Sequence, residues 1–248
     1  MLGIIGGTGL TQLANLEITH RQVIRTPYGE PSGALTFGSI NNHQVVFLAR
    51  HGYGHTIPPH LVNYRANLWA LHSQGVRDVV SVATVGGIAS ELTPGAIVIP
   101  DQIIDYTYGR KNTYHDGIDQ AVTHIDFTQP YSASLRALCM QAAKLSAEAF
   151  VDGGTYAAVQ GPRLETAAEI NRLDRDGATM VGMTGMPEAA LAREIGIDYA
   201  AVCVVANHAA GRGNSATQIH YDEIQTVVAA SMDRVRNIIE HLVALHAR

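Results

Sequence analysis

The sequence is poor in the features that mark several large protein classes. Only two cysteines, Cys139 and Cys203, occur in 248 residues. Two give no disulfide framework and suit a reducing, cytoplasmic setting. No uninterrupted apolar run reaches the ~18 residues that a membrane-spanning helix needs. Residues 1–10 lack the basic start and long apolar core of a secretory leader, so none is expected. Charged residues are scarce at 16%, and their formal balance is -5, which argues against a general nucleic-acid binder. An anionic ligand would then need a local basic pocket. Internal repeats, low-complexity tracts and a clear linker are also missing. What is present is a 46% apolar fraction, enough for a large buried core rather than long disorder. The length fits one large α/β domain better than two small ones.

Read along the chain, apolar runs alternate with helical patterns, as expected for a single α/β domain. Met1–Leu10 is a short strand that breaks into a Gly-rich turn, Gly6-Gly7-Thr8-Gly9. Its spacing is not the dinucleotide fingerprint, and the acidic residue about 20 positions on, Glu30, sits in a Pro/Gly turn. A phosphate loop using Thr8 fits better than a nicotinamide site. Residues 17–50 read as short strands, the last being Val45–Ala49, which delivers Arg50 and His51 into a loop. His51, His55 and His60 are separated by Gly and Pro, with no helical pair and no acidic cluster. They read as anion or sugar contacts rather than metal ligands.

Leu61–Gln74 reads as a helix, and Asp78–Val82 as a buried parallel strand ending in a Gly-rich turn, Ala83–Gly87. Gly95–Pro100 and Gln102–Tyr106 are further strands, and Arg110–Gly117 a mobile polar loop. Tyr131–Phe150 has a helical stripe at Leu135, Leu138, Ala142 and Leu145. Thr155–Gln160 is a strand. A helix then opens at Gly161 and runs to about Leu173, with Glu165 in its first turn, where the dipole alone favours a carboxylate. Tyr199–Ala206 is an apolar strand with Asn207 at its end, and Asp222–Leu245 an amphipathic helix.

The stretch Val181–Glu188 joins an apolar run to a helix. Exposed N–H groups and the helix dipole at such a junction favour an anion. Thr184 adds a hydroxyl, for an anion or for a helix cap, and Met183 is a soft neighbour for a sugar or for the core. Thr8, Arg50, Thr84, Glu165, Thr184 and Asn207 all follow apolar runs. Thr and Arg donors suit phosphate, Arg50 through its forked guanidinium. A Glu acceptor with an Asn amide suits the amide-like edge of a purine.

These residues, in order, resemble the trimeric purine nucleoside phosphorylases, in the branch that acts on methylthioadenosine and methylthioinosine. Ile4–Leu10, Leu48–Gly52, Val62–Leu71, Gly161–Arg163 and Met183–Glu188 carry the resemblance, which runs from Ile4 to about Arg234. It implies one phosphorylase domain over residues 1–248, with a mixed central sheet flanked by helices. It implies phosphate binding by Thr8, Arg50, His51, Ala83, Thr84 and Thr184. Met183 would lie under the ribose and Leu164 beside the base, and Asn207 would contact purine N7 and O6. Glu165 would accept the base N1–H, making Asn207 and Glu165 the catalytic pair. His124 would reach a neighbouring subunit's 5′ pocket, so a homotrimer or dimer of trimers is implied. Inorganic phosphate would be a co-substrate, with no cofactor and no metal.

The base pocket separates substrates. Relatives that act on 6-aminopurines carry a small hydroxyl residue at position 165 and Asp at 207 and 209, whereas this chain has Glu165, Asn207 and Ala209. A carboxylate accepts from the N1–H of hypoxanthine or guanine and opposes the N1 lone pair of adenine. A 6-oxopurine nucleoside is therefore expected. Tyr221 departs from the branch, which has an apolar residue there; it suits a methylthio group by packing or a 5′-hydroxyl by hydrogen bonding. Methylthioinosine is favoured over inosine or guanosine. A non-catalytic nucleoside-binding protein and a nicotinamide-dependent oxidoreductase are the competing readings.

Overall fold

Two long apolar strands, β5 (Asp78–Gly87) and β11 (Asp198–His208), run side by side and parallel through the middle of the molecule. Their side chains alternate between two faces. Val79, Ala83 and Val85 with Tyr199, Ala201, Cys203 and Val205 point to one core. Val80 and Val82 with Ala200, Val202, Val204 and Ala206 point to the other. Both faces are covered, which is why the two segments read as near-continuous apolar runs. Helices α1 (Tyr64–Ser73) and α4 (Gly185–Glu194) cover the first face. Helices α2 (Ala133–Leu145) and α5 (Tyr221–His246) cover the second. Cys139 and Cys203 lie in cores on opposite faces, and both are free thiols. The computed structural model describes residues 1–117 and 121–247. No helix among the described residues is long and apolar enough to cross a membrane.

The remaining strands are β1 (Leu2–Gly6), β2 (Glu17–Gln22), β3 (Leu35–Ile40), β4 (His43–Ala49), β6 (Ile97–Ile99), β7 (Gln102–Asp105), β8 (Val151–Asp152), β9 (Thr155–Ala158) and β10 (Met180–Gly182). All join one mixed sheet whose main path is β2-β3-β4-β1-β5-β10-β9-β7, with β11, β6 and β8 branching from β5. β5 changes neighbour along its length. Asp78–Ser81 pair with β1, whereas Gly86 and Gly87 pair with β10. Between them one edge of Val82–Val85 has no strand partner. This split in the sheet is where the cavity forms, as ligands gather where strand order changes.

Several expectations need correction. Ala83–Gly87 is not a turn but the second half of β5, because Gly86 and Gly87 pair with both β10 and β11. Asn207 likewise lies within β11, just past a bulge after Val205, not beyond the strand. Helix α2 is shorter than expected: the Ser132 side chain caps its start, and Ala147 leaves helical space at φ 56. Its buried stripe is Leu135, Cys139, Ala142 and Ala143, while Leu145 is 57% exposed. Helix α3 (Ala167–Arg175) begins after Glu165, with Thr166 as N-cap in a capping box with Glu169. Glu165 is therefore not a first-turn residue.

The Arg110–Gly117 segment is not mobile at its anchors either. Tyr114 is buried, and Glu194 accepts from the Thr113 hydroxyl and the Tyr114 N–H, both at 2.7 Å. Arg65 holds Asp116 at 2.7 Å.

Candidate functional site

A cavity of about 490 Å³ opens at the split beside β5. Twelve of the thirteen expected site residues line it: Thr8, Arg50, His51, Ala83, Thr84, Leu164, Glu165, Met183, Thr184, Asn207, Ala209 and Tyr221. His124 does not. It is exposed on the 121–127 stretch.

One end of the cavity is built from the exits of β1, β4, β5 and β10. Arg50 is fully buried there. Its Nε and Nη2 grip the two Glu188 oxygens at 2.7 and 2.8 Å. Nη2 also donates to the Ser81 hydroxyl, and Nη1 to the Val82 carbonyl at 3.1 Å. Of five guanidinium N–H groups, four are engaged, so one on Nη1 is left. That nitrogen sits against the Gly-rich turn: a Cβ on Gly7 would lie 2.9 Å from it. The expected free fork is thus corrected, because Glu188 has taken it. Burial alone would weaken the Arg50 charge, but the Glu188 carboxylate outweighs burial and holds the guanidinium charged. The Tyr199 hydroxyl donates to Glu188 at 2.7 Å, completing the buried network. Since Glu188 offsets Arg50, this end is not the strongly basic pocket expected from an acidic chain.

His51 donates from Nδ1 to the Ile57 carbonyl at 2.8 Å, which leaves Nε2 as an acceptor. Burial and then Arg50 push its pKa down to about 4, so the ring is neutral at pH 7. The Thr184 side chain makes no cap hydrogen bond, and its N–H is given to the Tyr156 hydroxyl at 3.2 Å. Met186 is not helical (φ -121, ψ 140), and the cavity stops at Thr184. The helix-dipole expectation is therefore corrected: Thr184 lines the cavity, but the helix residues after it, Gly185 to Glu188, do not. Thr8 and Thr84 line the same end.

The other end has few partners. Asn207 donates from Nδ2 to the His208 carbonyl at 2.6 Å, which leaves Oδ1 and one N–H. No ion pair holds the Glu165 carboxylate among the described residues. Arg163 is engaged bidentately with Glu169 at 2.8 and 2.7 Å. Burial pushes the Glu165 pKa above the ordinary carboxylate value and Glu169 adds to the push, together outweighing the Glu165 backbone N–H and the Arg163 charge, which pull it down. Met183 packs on Gly161, which has φ +62, and a Cβ on that glycine would collide with the Met183 sulfur. The close approach joins the Gly161–Glu165 loop to the floor of the cavity. Tyr221 stands at the rim, 65% exposed.

Sequence reasoning missed Glu188 and Ser81, which hold Arg50, and Tyr199, which holds Glu188. Glu188 stands in the Met183–Glu188 stretch, but nothing in the sequence links it to an arginine 138 residues away. It also missed the Ile57–Pro59 wall and Ile224, which packs against the second core and lines the cavity as well. Among the described residues no group of three or more His, Cys, Asp or Glu is placed to hold a metal.

Residues 1–244 match the Phosphorylase superfamily. A Xanthomonas campestris protein named probable S-methyl-5′-thioinosine phosphorylase is 48% identical, covering 97% of this chain and 96% of the relative. The 6-oxopurine nucleoside phosphorylase of Pyrococcus furiosus is 41% identical over 96% of this chain and 90% of its own. Among solved structures, methylthioadenosine phosphorylase from Schistosoma mansoni with adenine superposes at a TM-score of 0.94. It is 30% identical and covers 99% of this chain and 91% of its own. The extent of these matches, together with a cavity at the split in the sheet, places the chain in the Phosphorylase superfamily.

Proposed function

We propose that this chain, as one phosphorylase domain, cleaves a 6-oxopurine nucleoside with inorganic phosphate. The preferred substrate is S-methyl-5′-thioinosine, giving hypoxanthine and 5-methylthioribose 1-phosphate; inosine or guanosine is the alternative. Phosphate is a co-substrate, and the reading needs no further cofactor or metal. The observation that carries it is one cavity lined both by Glu165 and Asn207 and by Thr8, Thr84, Thr184 and Arg50, with the nearby Arg163 committed to Glu169 rather than to Glu165.

Phosphate would sit at the hydroxyl-lined end, held by Thr8, Thr84, Thr184, the Ala83–Thr84 backbone and the remaining Arg50 N–H. Neutral His51 would accept a hydrogen bond at Nε2 from phosphate or from a ribose hydroxyl. Met183 would lie beneath the ribose. A phosphate oxygen attacks C1′ as the bond to purine N9 breaks, and the bonding pair leaves with the base. Charge therefore grows on the purine. As the base departs N7 takes a proton from solvent water, and Asn207 Oδ1, which no protein donor occupies, would accept that N7–H. Its second Nδ2 hydrogen remains for O6. Glu165 would accept N1–H, and Leu164 and Ala209 would pack on the base. Catalysis then rests on positioning and on electrostatic support of the leaving group.

His124 would complete the 5′ pocket of another copy, in a homotrimer or dimer of trimers. Its exposure outside its own cavity favours this reading. Sedimentation coupled to assay tests it; a fully active monomer would refute it.

The defining experiment is base release from methylthioinosine, inosine and methylthioadenosine, each with and without phosphate. Phosphate-dependent hypoxanthine release, fastest from methylthioinosine, is expected. Release without phosphate, or adenine as the faster product, overturns the reading.

A further inference from the structure

The segment after β7 sends one side chain beneath the cavity without reaching it. Arg110 is half-buried and forms no part of the cavity wall. Its guanidinium nevertheless touches three segments that do. Nη1 donates to the carbonyls of Met183 at 2.8 Å and Met186 at 2.6 Å. Nη2 donates to the carbonyls of Val159 at 3.2 Å and Gln160 at 2.8 Å, and Nε to Gln160 Oε1 at 3.2 Å. Nη1 also reaches the Tyr64 hydroxyl at 3.3 Å, which itself donates to the Pro59 carbonyl at 2.9 Å. The guanidinium lies over the Tyr64 ring, 5.5 Å from its centre.

Each segment carries a different part of the cavity. Val159 and Gln160 lead into the loop with Leu164 and Glu165. Met183–Met186 holds the residues beneath the ribose and at the hydroxyl-lined end. Pro59 ends the Ile57–Pro59 wall. Four of the acceptors are backbone carbonyls, so the contact fixes main-chain positions rather than side-chain rotamers. A planar fork with N–H groups on both sides bridges two segments at once; a lysine ammonium is one point and cannot.

We propose that Arg110 is a positioning residue for the transfer reaction. It sets the distance and angle between the loop that would hold the base and the turn that would hold sugar and phosphate. The proposal rests on the phosphorolysis proposed above. Misplacing reacting groups by about 1 Å from a remote site costs on the order of 10²-fold in rate.

The test measures the full chain and its Arg110→Ala, Arg110→Lys and Arg110→Met variants. Melting temperature, kcat, and KM for nucleoside and phosphate are recorded for each. Arg110→Ala is expected to stay folded at assay temperature and lose on the order of 10²-fold in kcat. Arg110→Lys keeps the charge but should recover little, because it cannot bridge. Guanidinium ion at a few millimolar, far below denaturing levels, should raise the kcat of Arg110→Ala roughly tenfold and leave wild type unchanged. Wild-type kcat in folded Arg110→Ala would overturn the proposal. So would full activity in Arg110→Lys, which would make charge alone the cause. If Arg110→Ala does not fold, Arg110→Lys and Arg110→Met decide: kcat equal to wild type in either refutes the clamp. Absence of phosphate-dependent cleavage by the wild type would instead refute the reaction assigned to the site.

Discussion

The two ends of the cavity are built in opposite ways. At the Arg50 end the buried charges are paired: Glu188 accepts from Arg50 twice and from Tyr199 once, and Arg50 also holds Ser81 and Val82. At the Glu165 end the nearby Arg163 spends its hydrogen bonds on Glu169, and Asn207 is held by a single bond to its own strand. The first arrangement gives rigidity, since removing one member leaves the others buried and unpaired. The second leaves hydrogen-bonding capacity unspent, and such groups are the ones able to select a ligand. Stability should therefore depend on the first end and substrate choice on the second.

The largest effect expected is at Glu188. Glu188→Ala strands a fully buried guanidinium and should destabilise the fold by about 3–5 kcal/mol. That corresponds to a melting-temperature loss on the order of 10 °C, read by calorimetry. A shift within two degrees would mean Arg50 finds another partner and the two ends are less different than drawn. Next is Asn207→Ala, which should lower kcat/KM by on the order of 10²-fold through loss of a group that acts as charge develops. Its melting temperature should hardly move; a large drop would place Asn207 with the structural end.

A smaller effect is set by pH. Glu165 must be ionised to accept N1–H, and burial raises its pKa above 4.5. Activity toward a 6-oxopurine should be full above that raised pKa and fall as pH drops through it. His51 titrates later, near pH 4, and so does not set this limb. An acid limb that persists unchanged in Glu165→Gln would assign it to another group. The smallest effect belongs to the exposed rim. Tyr221→Phe should change methylthioinosine turnover by less than about threefold, because only an exposed hydroxyl is lost. A much larger loss confined to inosine would make that hydroxyl a 5′ partner.

How much of this was legible follows from chain locality. Thr8, Arg50, Thr84, Thr184 and Asn207 were readable because each follows an apolar run. The sheet itself was readable from β5 and β11, whose uninterrupted apolar character requires cover on both faces. The contacts that decide the electrostatics were not. Arg50 read as a free fork because its partner comes from the start of α4, across the sheet. Arg110 read as part of a polar loop because its partners are backbone carbonyls, which leave no mark in sequence. Glu165 read as a helix-start carboxylate. The capping box, with Arg163, shows that Glu169 takes that structural work instead. The α2 stripe slipped because a small buried cysteine, Cys139, outranked Leu138 once Ser132 had fixed where the helix begins.

The most direct test is the ratio of kcat/KM for methylthioinosine to that for methylthioadenosine, in wild type and in Glu165→Gln, at saturating phosphate. A carboxylate only accepts, whereas an amide both accepts and donates. The ratio should strongly favour methylthioinosine in wild type and fall roughly tenfold or more in the variant, the scale of one unpaired buried polar group. The phosphate KM should stay unchanged. An unaltered ratio, or a phosphate KM that moves with it, would contradict the separation of the two ends.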